Sequence, residues 1–152
     1  MKGGYKAKIC GTTNMEDVRL SADEGADFFG VVVEVDFSPR SQTIGDAGRL
    51  FAAPPIPGVA LVFKMKEERV ATMIQTLNPF AVQFLDPADI SMLKRLKRAH
   101  PSVEMWQSIH LPQAGEEADL VCKVEGRTEL ERSGHHEVPG RRAQAALQNN
   151  RF

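Results

Sequence analysis

Apolar runs of strand length recur at Ala7 to Cys10, Phe28 to Val35, Val59 to Phe63, Ala81 to Leu85 and Met105 to Leu111. Their spacing of roughly 20 to 30 residues is the period of repeated βα units. Between the runs the apolar period lengthens from two to between three and four. Met15, Val18, Ala22 and Ala26 mark one helix, and Val70, Met73, Ile74 and Leu77 mark another. Asn14 is a natural N-cap for the first, with Glu16 and Asp17 in the opening turn, where the helix dipole favours acids. Asp86-Pro87 reads as the start of a later helix with Ile90, Leu93 and Leu96 as its buried stripe. Lys94, Arg95, Lys97 and Arg98 then form a solvated basic end. Val- and Phe-rich runs without strict alternation fit strands buried on both faces, as in a parallel sheet covered by helices. Strands joined by crossover helices are parallel. These patterns leave open whether the sheet is open or closed into a barrel.

After about Leu111 the βα grammar stops. Pro112 to Gly115 reads as a loop, and Glu116 to Arg132 as a charged helix carrying Leu120, Val124 and Leu130. From Ser133 to Phe152 there are too few apolar residues to offset the entropy of ordering the chain. The expected organisation is therefore a βα domain over residues 1–120 and a charged helix with a poorly ordered polar tail over residues 121–152. His135-His136, in that tail, reads as a solvated pair, and no metal is assigned.

Composition narrows the classes of function. At 152 residues, 42% hydrophobic and 26% charged, the chain has the profile of one ordinary globular domain. A formal net charge of −1 supplies no global field for nucleic acid or an anionic membrane, so neither is expected as a partner. No apolar run approaches the roughly 20 residues of a membrane span. Met1 to Lys6 lead into no signal-peptide core, so a cytoplasmic location is expected. The two cysteines, Cys10 and Cys122, stand far apart without a CxxC, which argues against a disulfide framework and a structural zinc. Cys10 is expected to be a free thiol.

In parallel α/β folds the ligand site lies at the C-terminal ends of the strands. Lys8-Ile9-Cys10-Gly11 ends the first strand in a glycine turn, and alternation sets Lys6, Lys8 and Cys10 on one face. A free thiol ionises near pH ~8.5, and a neighbouring cation favours the thiolate. Asp36-Phe37-Ser38-Pro39-Arg40 ends the second strand in a turn that presents a planar guanidinium suited to a carboxylate or phosphate. Read singly, Cys10 also fits a small buried hydrophobe, and Arg40 a surface ion pair.

Taken together, Lys8 to Asp17, Glu24 to Gly30, Ser38-Pro39-Arg40 and Ala81-Val82-Gln83-Phe84 resemble the opening of phosphoribosylanthranilate isomerases, (β/α)8 barrels of tryptophan biosynthesis. The resemblance covers roughly the first five strands and implies an α/β fold, a partial TIM barrel with about five parallel strands. It also implies an aldose–ketose isomerase that carries out an Amadori rearrangement of a phosphorylated anthranilate ribosyl compound, without a cofactor. In that reaction an acid assists opening of the furanose, and a base removes the C2′ proton of the resulting Schiff base. By resemblance Cys10 is the base, Arg40 holds the anthranilate carboxylate, and Lys8 and Gln83 support them.

The sequence also departs from the family. Gln83-Phe84-Leu85-Asp86 stands where Gln-Leu-His-Gly is usual, and Gln107 stands where a lysine is more typical. Trp106 and His110 read as barrel filling and loop hydrogen bonding. The family's aspartate on the sixth strand and its glycine-rich phosphate loops are not found in this sequence. The chain thus reads as a truncated or frame-shifted member, weakly active or inactive alone, whose open edges invite self-association or a complementing fragment. Two other readings are a non-catalytic scaffold remnant of a barrel and a five-stranded doubly wound ligand-binding domain. Against the latter, neither GxGxxG nor GxxxxGK[ST] follows any strand.

Overall fold

The computed structural model describes residues 5–109. They form β1 (Lys8–Cys10), α1 (Met15–Asp23), β2 (Phe28–Val32), α2 (Ile44–Phe51), β3 (Gly58–Val62), α3 (Glu67–Leu77), β4 (Ala81–Phe84), α4 (Ile90–Ala99) and β5 (Glu104–Gln107). All lie within one compact unit, Met1–Gln107. The expectations for residues 110–152, including the 120/121 boundary, the charged helix, His110, Cys122 and the His135-His136 pair, fall outside the described residues.

The five strands pair in parallel in the order β1-β2-β3-β4-β5. A doubly wound domain requires the strand order to reverse at a switch point. None occurs among the five described strands, so that alternative is overturned. Sequential order with right-handed crossovers sends every helix to the same side of the sheet, which is the grammar of a barrel wall.

Two observations show that this wall curls. The Lys8 ammonium on β1 donates to Gln83 Oε1 on β4, and the Phe28 ring on β2 meets the Trp106 ring on β5 at 5.5 Å, edge to face. Each pair spans two intervening strands, about 14 Å on a flat sheet. Side chains stand roughly perpendicular to a sheet, so their ends meet across that span only when the face is concave. On this inner face Phe28, Val32, Val35, Val59, Leu61 and Ala81 form a buried cluster against which Phe63, Leu85 and Trp106 pack. The register explains the set, because Gly30 faces Val59, Val32 faces Leu61, and Leu61 faces Gln83.

The outer face carries Phe29, Val31, Ala60, Val62, Val82 and Phe84, all buried, and the helices bury Val18, Ala47, Leu50, Val70, Met73, Ile74, Leu77, Leu93 and Leu96. Asn14 caps α1 by accepting the Asp17 N–H at 2.8 Å, as expected. The start of α4 differs from the sequence reading. Its cap is Asp89, which accepts from Met92 N, whereas Asp86 accepts the Lys64 N–H at 2.8 Å and ties β3 to β4. Ile90 stands 41% exposed at the first turn, which leaves Leu93 and Leu96 as the buried stripe. The periodic signal misses α2, which is only eight residues long and interrupted by Gly45 and Gly48. Its usable signal is the cap, where Thr43 Oγ1 donates to the Asp46 carboxylate at 2.8 Å and accepts the Asp46 N–H at 3.1 Å.

The close approach of α2 to the sheet depends on Gly58. A Cβ there would lie 2.5 Å from Phe51 Cε1 and 2.6 Å from Phe29 Cζ. Gly58→Ala is expected to destabilise the protein by about 1 to 3 kcal/mol through overpacking. A urea unfolding curve checks this.

Candidate active site

The inner face reaches the C-terminal mouth of the sheet at Cys10. Its free thiol is exposed, and its sulfur lies over Gly30 of β2, where an added Cβ would sit 3.3 Å from Sγ. Lys8, half-buried, lies one inward-facing position deeper, as alternation requires. Burial pushes its ammonium below the usual 10.5, and the charge of the Cys10 thiolate partly offsets that. Gln83 supplies the acceptor that keeps the ammonium in the concave interior.

Arg40 arrives from the loop after β2. The neck of that loop is pinned by Gln42 N–H to Val32 O at 2.8 Å, Glu34 N–H to Gln42 O at 3.0 Å and Val35 N–H to Ser41 Oγ at 2.8 Å. Two successive turns, closed by Ser38 N–H to Val35 O and Ser41 N–H to Ser38 O, carry the chain through Pro39. They turn Arg40 toward β1, where its stem lies directly over Gly11. A Cβ on Gly11 would fall 2.9 Å from Arg40 Cδ and 3.2 Å from Nη1. Gly11 has φ +78, a left-handed conformation that favours glycine. The Gly30 carbonyl accepts both the Gly11 and Thr12 N–H groups at 2.9 Å, which fixes this turn. The structure therefore brings Cys10, Lys8 and Gln83 onto one concave face and sets Arg40 against the residue next to Cys10.

The far side of the mouth shows what the altered fourth-strand end does. Leu85 joins the apolar cluster, and the Asp86 carbonyl accepts from Gln107 Nε2 at 2.6 Å. Gln107 Oε1 also accepts the Ala88 N–H at 3.0 Å, so this glutamine straps the loop between β4 and α4. Trp106 fills the interior, as expected. Two features escaped the sequence reading. Thr12 Oγ1 is buried and has no hydrogen-bond partner among the described residues. Phe37 and Phe63 stand edge to face at 5.0 Å on the β3 side of the mouth. A groove of about 360 Å³ at the opposite end of the strands, lined by residues such as Pro54, Pro57 and Pro79, holds no titratable side chain among the described residues. Among the described residues no cluster of three or more His, Cys, Asp or Glu could hold a metal, and no helix is long and apolar enough to cross a membrane.

A curled, sequentially ordered parallel βα wall with a thiol and a guanidinium at its C-terminal rim defines a barrel-type α/β protein. Comparison with known proteins agrees. The chain is 36% identical over 114 residues to an N-(5'-phosphoribosyl)anthranilate isomerase of Methanocella arvoryzae, covering 73% of this chain and 53% of that protein. It is 29% identical over 119 residues to the corresponding protein of Xylella fastidiosa strain M23, covering 77% and 50%. Among solved structures, the isomerase of Pyrococcus furiosus matches with a TM-score of 0.72 at 21% identity, over 82% of this chain and 62% of that one. Another phosphoribosylanthranilate isomerase, solved with reduced 1-(o-carboxyphenylamino)-1-deoxyribulose 5-phosphate, matches at 0.71 and 24%, over 82% and 61%. No family model matches the chain. The chain belongs to the phosphoribosylanthranilate isomerase family, and it spans about half the length of the curated relatives it matches.

Gly11→Ala is expected to cost about 1 to 3 kcal/mol from backbone strain and to displace Arg40. Denaturant unfolding together with a crystal structure of the variant checks both effects. For Lys8 the sign follows from its lowered folded value. Between that value and 10.5 the unfolded chain holds more protons, so this contribution to stability rises with pH. The urea midpoint of the wild type relative to Lys8→Met is expected to increase from about pH 7 to about pH 10. A constant difference contradicts this.

Proposed function

We propose that the chain is a phosphoribosylanthranilate isomerase-like protein that binds N-(5'-phosphoribosyl)anthranilate at the rim formed by β1 and the loop after β2. Cys10 is the base that removes the C2′ proton during the Amadori rearrangement, and Arg40 forks onto the anthranilate carboxylate. Lys8 supports Cys10 as the neighbouring cation, and Gln83 holds Lys8. No cofactor is needed, because the reaction is an internal redox exchange between neighbouring carbons driven by proton transfer. The setting is cytoplasmic, and a second copy or a complementing fragment completes the barrel. The observation that carries the reading is the Arg40 stem lying on Gly11, one residue from the thiol, which sets an anion fork beside a base.

The isolated chain is expected to bind better than it turns over, because the family's sixth-strand aspartate and glycine-rich phosphate loops are not found in the sequence. Titration of the full chain with the reduced carboxyphenylamino-deoxyribulose phosphate tests the assignment. Arg40→Met is expected to weaken binding by about tenfold or more, the scale of a charged hydrogen bond, while Cys10→Ala stays within about twofold. Unchanged affinity in Arg40→Met removes Arg40 from the site. Turnover that survives Cys10→Ala removes Cys10 as the base.

A further inference from the structure

As the cation beside Cys10, Lys8 uses only its charge, yet it also brings an amine into an apolar interior. Its side chain rises from β1 and crosses β2 and β3 to reach Gln83 Oε1 on β4. Phe28, Val59 and Leu61, all buried, are inward residues of the strands it crosses, and Phe28 is its partner in the register. Among the described residues no carboxylate pairs with Lys8. Its tether is a neutral amide oxygen, which accepts from an amine as well as from an ammonium. Lys8 is nonetheless partly accessible, and the exposed Cys10 thiol stands one inward position nearer the mouth, about 7 Å along the strand. Lys6, two residues earlier, is exposed, and its ammonium lies over the Phe28 ring, 5.4 Å from the centroid.

We infer that Lys8 is a nucleophile for small aldehydes and ketones, which enter past Cys10 and are held on its side chain as an imine. Amine and thiol stand on one face of β1, so the acid that imine formation needs is at hand. The apolar residues around the amine keep out water, which would otherwise hydrolyse the product. An amine attacks only without its proton, and burial lowers the proton affinity of Lys8, an effect that the charge of the Cys10 thiolate offsets in part. In the first step the nitrogen bonds to the carbonyl carbon, the C=O π pair moves to oxygen, and the surplus proton on nitrogen passes to that oxygen, giving a carbinolamine. In the second, the Cys10 thiol protonates the hydroxyl group and the C–O bond breaks. Water leaves, and the nitrogen lone pair closes the C=N bond of a protonated imine beside a thiolate. No oxidant or reductant enters.

Incubation of the full chain with propanal and sodium cyanoborohydride at neutral pH, which fixes an imine as a secondary amine, tests the capture, with peptide mass mapping to score each lysine. Lys8 is expected to be labelled about tenfold faster than the exposed Lys66, as a desolvated amine beside an acid is activated. The preference is expected to vanish in urea, where the interior no longer exists. Lys8→Arg, which keeps the positive charge, is expected to lose the fast phase and to leave labelling of the other lysines unchanged. Cys10→Ala is expected to slow capture at Lys8 about fivefold, a modest share of what a positioned acid supplies. Labelling of Lys8 no faster than Lys66 in the folded wild type overturns the capture, and so does a preference that survives urea. A rate at Lys8 that is unchanged or higher in Cys10→Ala removes the thiol as proton donor. Neither Arg40 nor an anthranilate compound takes part in this experiment, so its failure and the failure of the isomerase reading are distinguishable.

Discussion

The absence of a side chain at position 11 governs the geometry of the mouth. Only a residue without a Cβ lets the Arg40 stem lie on the turn that ends β1, since any heavier group there would fall 2.9 Å from Arg40 Cδ. The same residue adopts φ +78, so the turn that presents Cys10 and the seat that receives Arg40 are one conformational choice. The Gly30 carbonyl holds this turn by accepting two N–H groups, and the Gly30 Cα leaves room for the Cys10 sulfur. Two strands, one loop and two glycines thus bring a thiol and a guanidinium to one rim, although the chain separates them by 30 positions of sequence.

Beneath that rim, the curl of the sheet decides what kind of interior the thiol looks into. It is mostly apolar, with Phe28, Val32, Val59, Leu61 and Trp106 on the face from which the tethered Lys8 ammonium projects. A cation in such a place is costly, which is why its proton affinity falls, and it persists because Gln83 offers an acceptor from across the interior. The surface ion pairs do a different job. Arg69 with Glu34 and Arg95 with Glu67 link neighbouring βα units on the exposed side, where screening leaves each worth little alone.

Much of this was legible in the sequence because its signals are local. Strand-length apolar runs, helical spacing at Val70, Met73, Ile74 and Leu77, and the Asn14 cap each depend on neighbours in the chain, and each recurs in the structure. Alternation alone set Lys8 and Cys10 on a common face. Strand order was not legible from periodicity, because sequential and doubly wound sheets share the same βα rhythm, and the resemblance to a barrel family resolved it. The cap of α4 was misread because Asp86-Pro87 and Asp89 are both good starts, and a tertiary contact, the Lys64 N–H, claims Asp86. Phe37 carried no signal at all. An aromatic residue in a polar turn looks like noise until a ring from another strand meets it, and Gln107 acts through backbone groups that only folding brings near.

A guanidinium shares the rim with the thiol. The most direct measurement is the ratio of Cys10 alkylation rates by iodoacetate and iodoacetamide, followed by peptide-resolved mass spectrometry so that Cys122 is scored apart. Both reagents attack the same thiolate, so the ratio reports only how the local field treats an anion. Arg40→Met is expected to lower this ratio, while Arg49→Met, on the exposed side of α2, leaves it unchanged. A ratio that is the same in the wild type and Arg40→Met would contradict the account, because no cation from that loop would then lie beside Cys10.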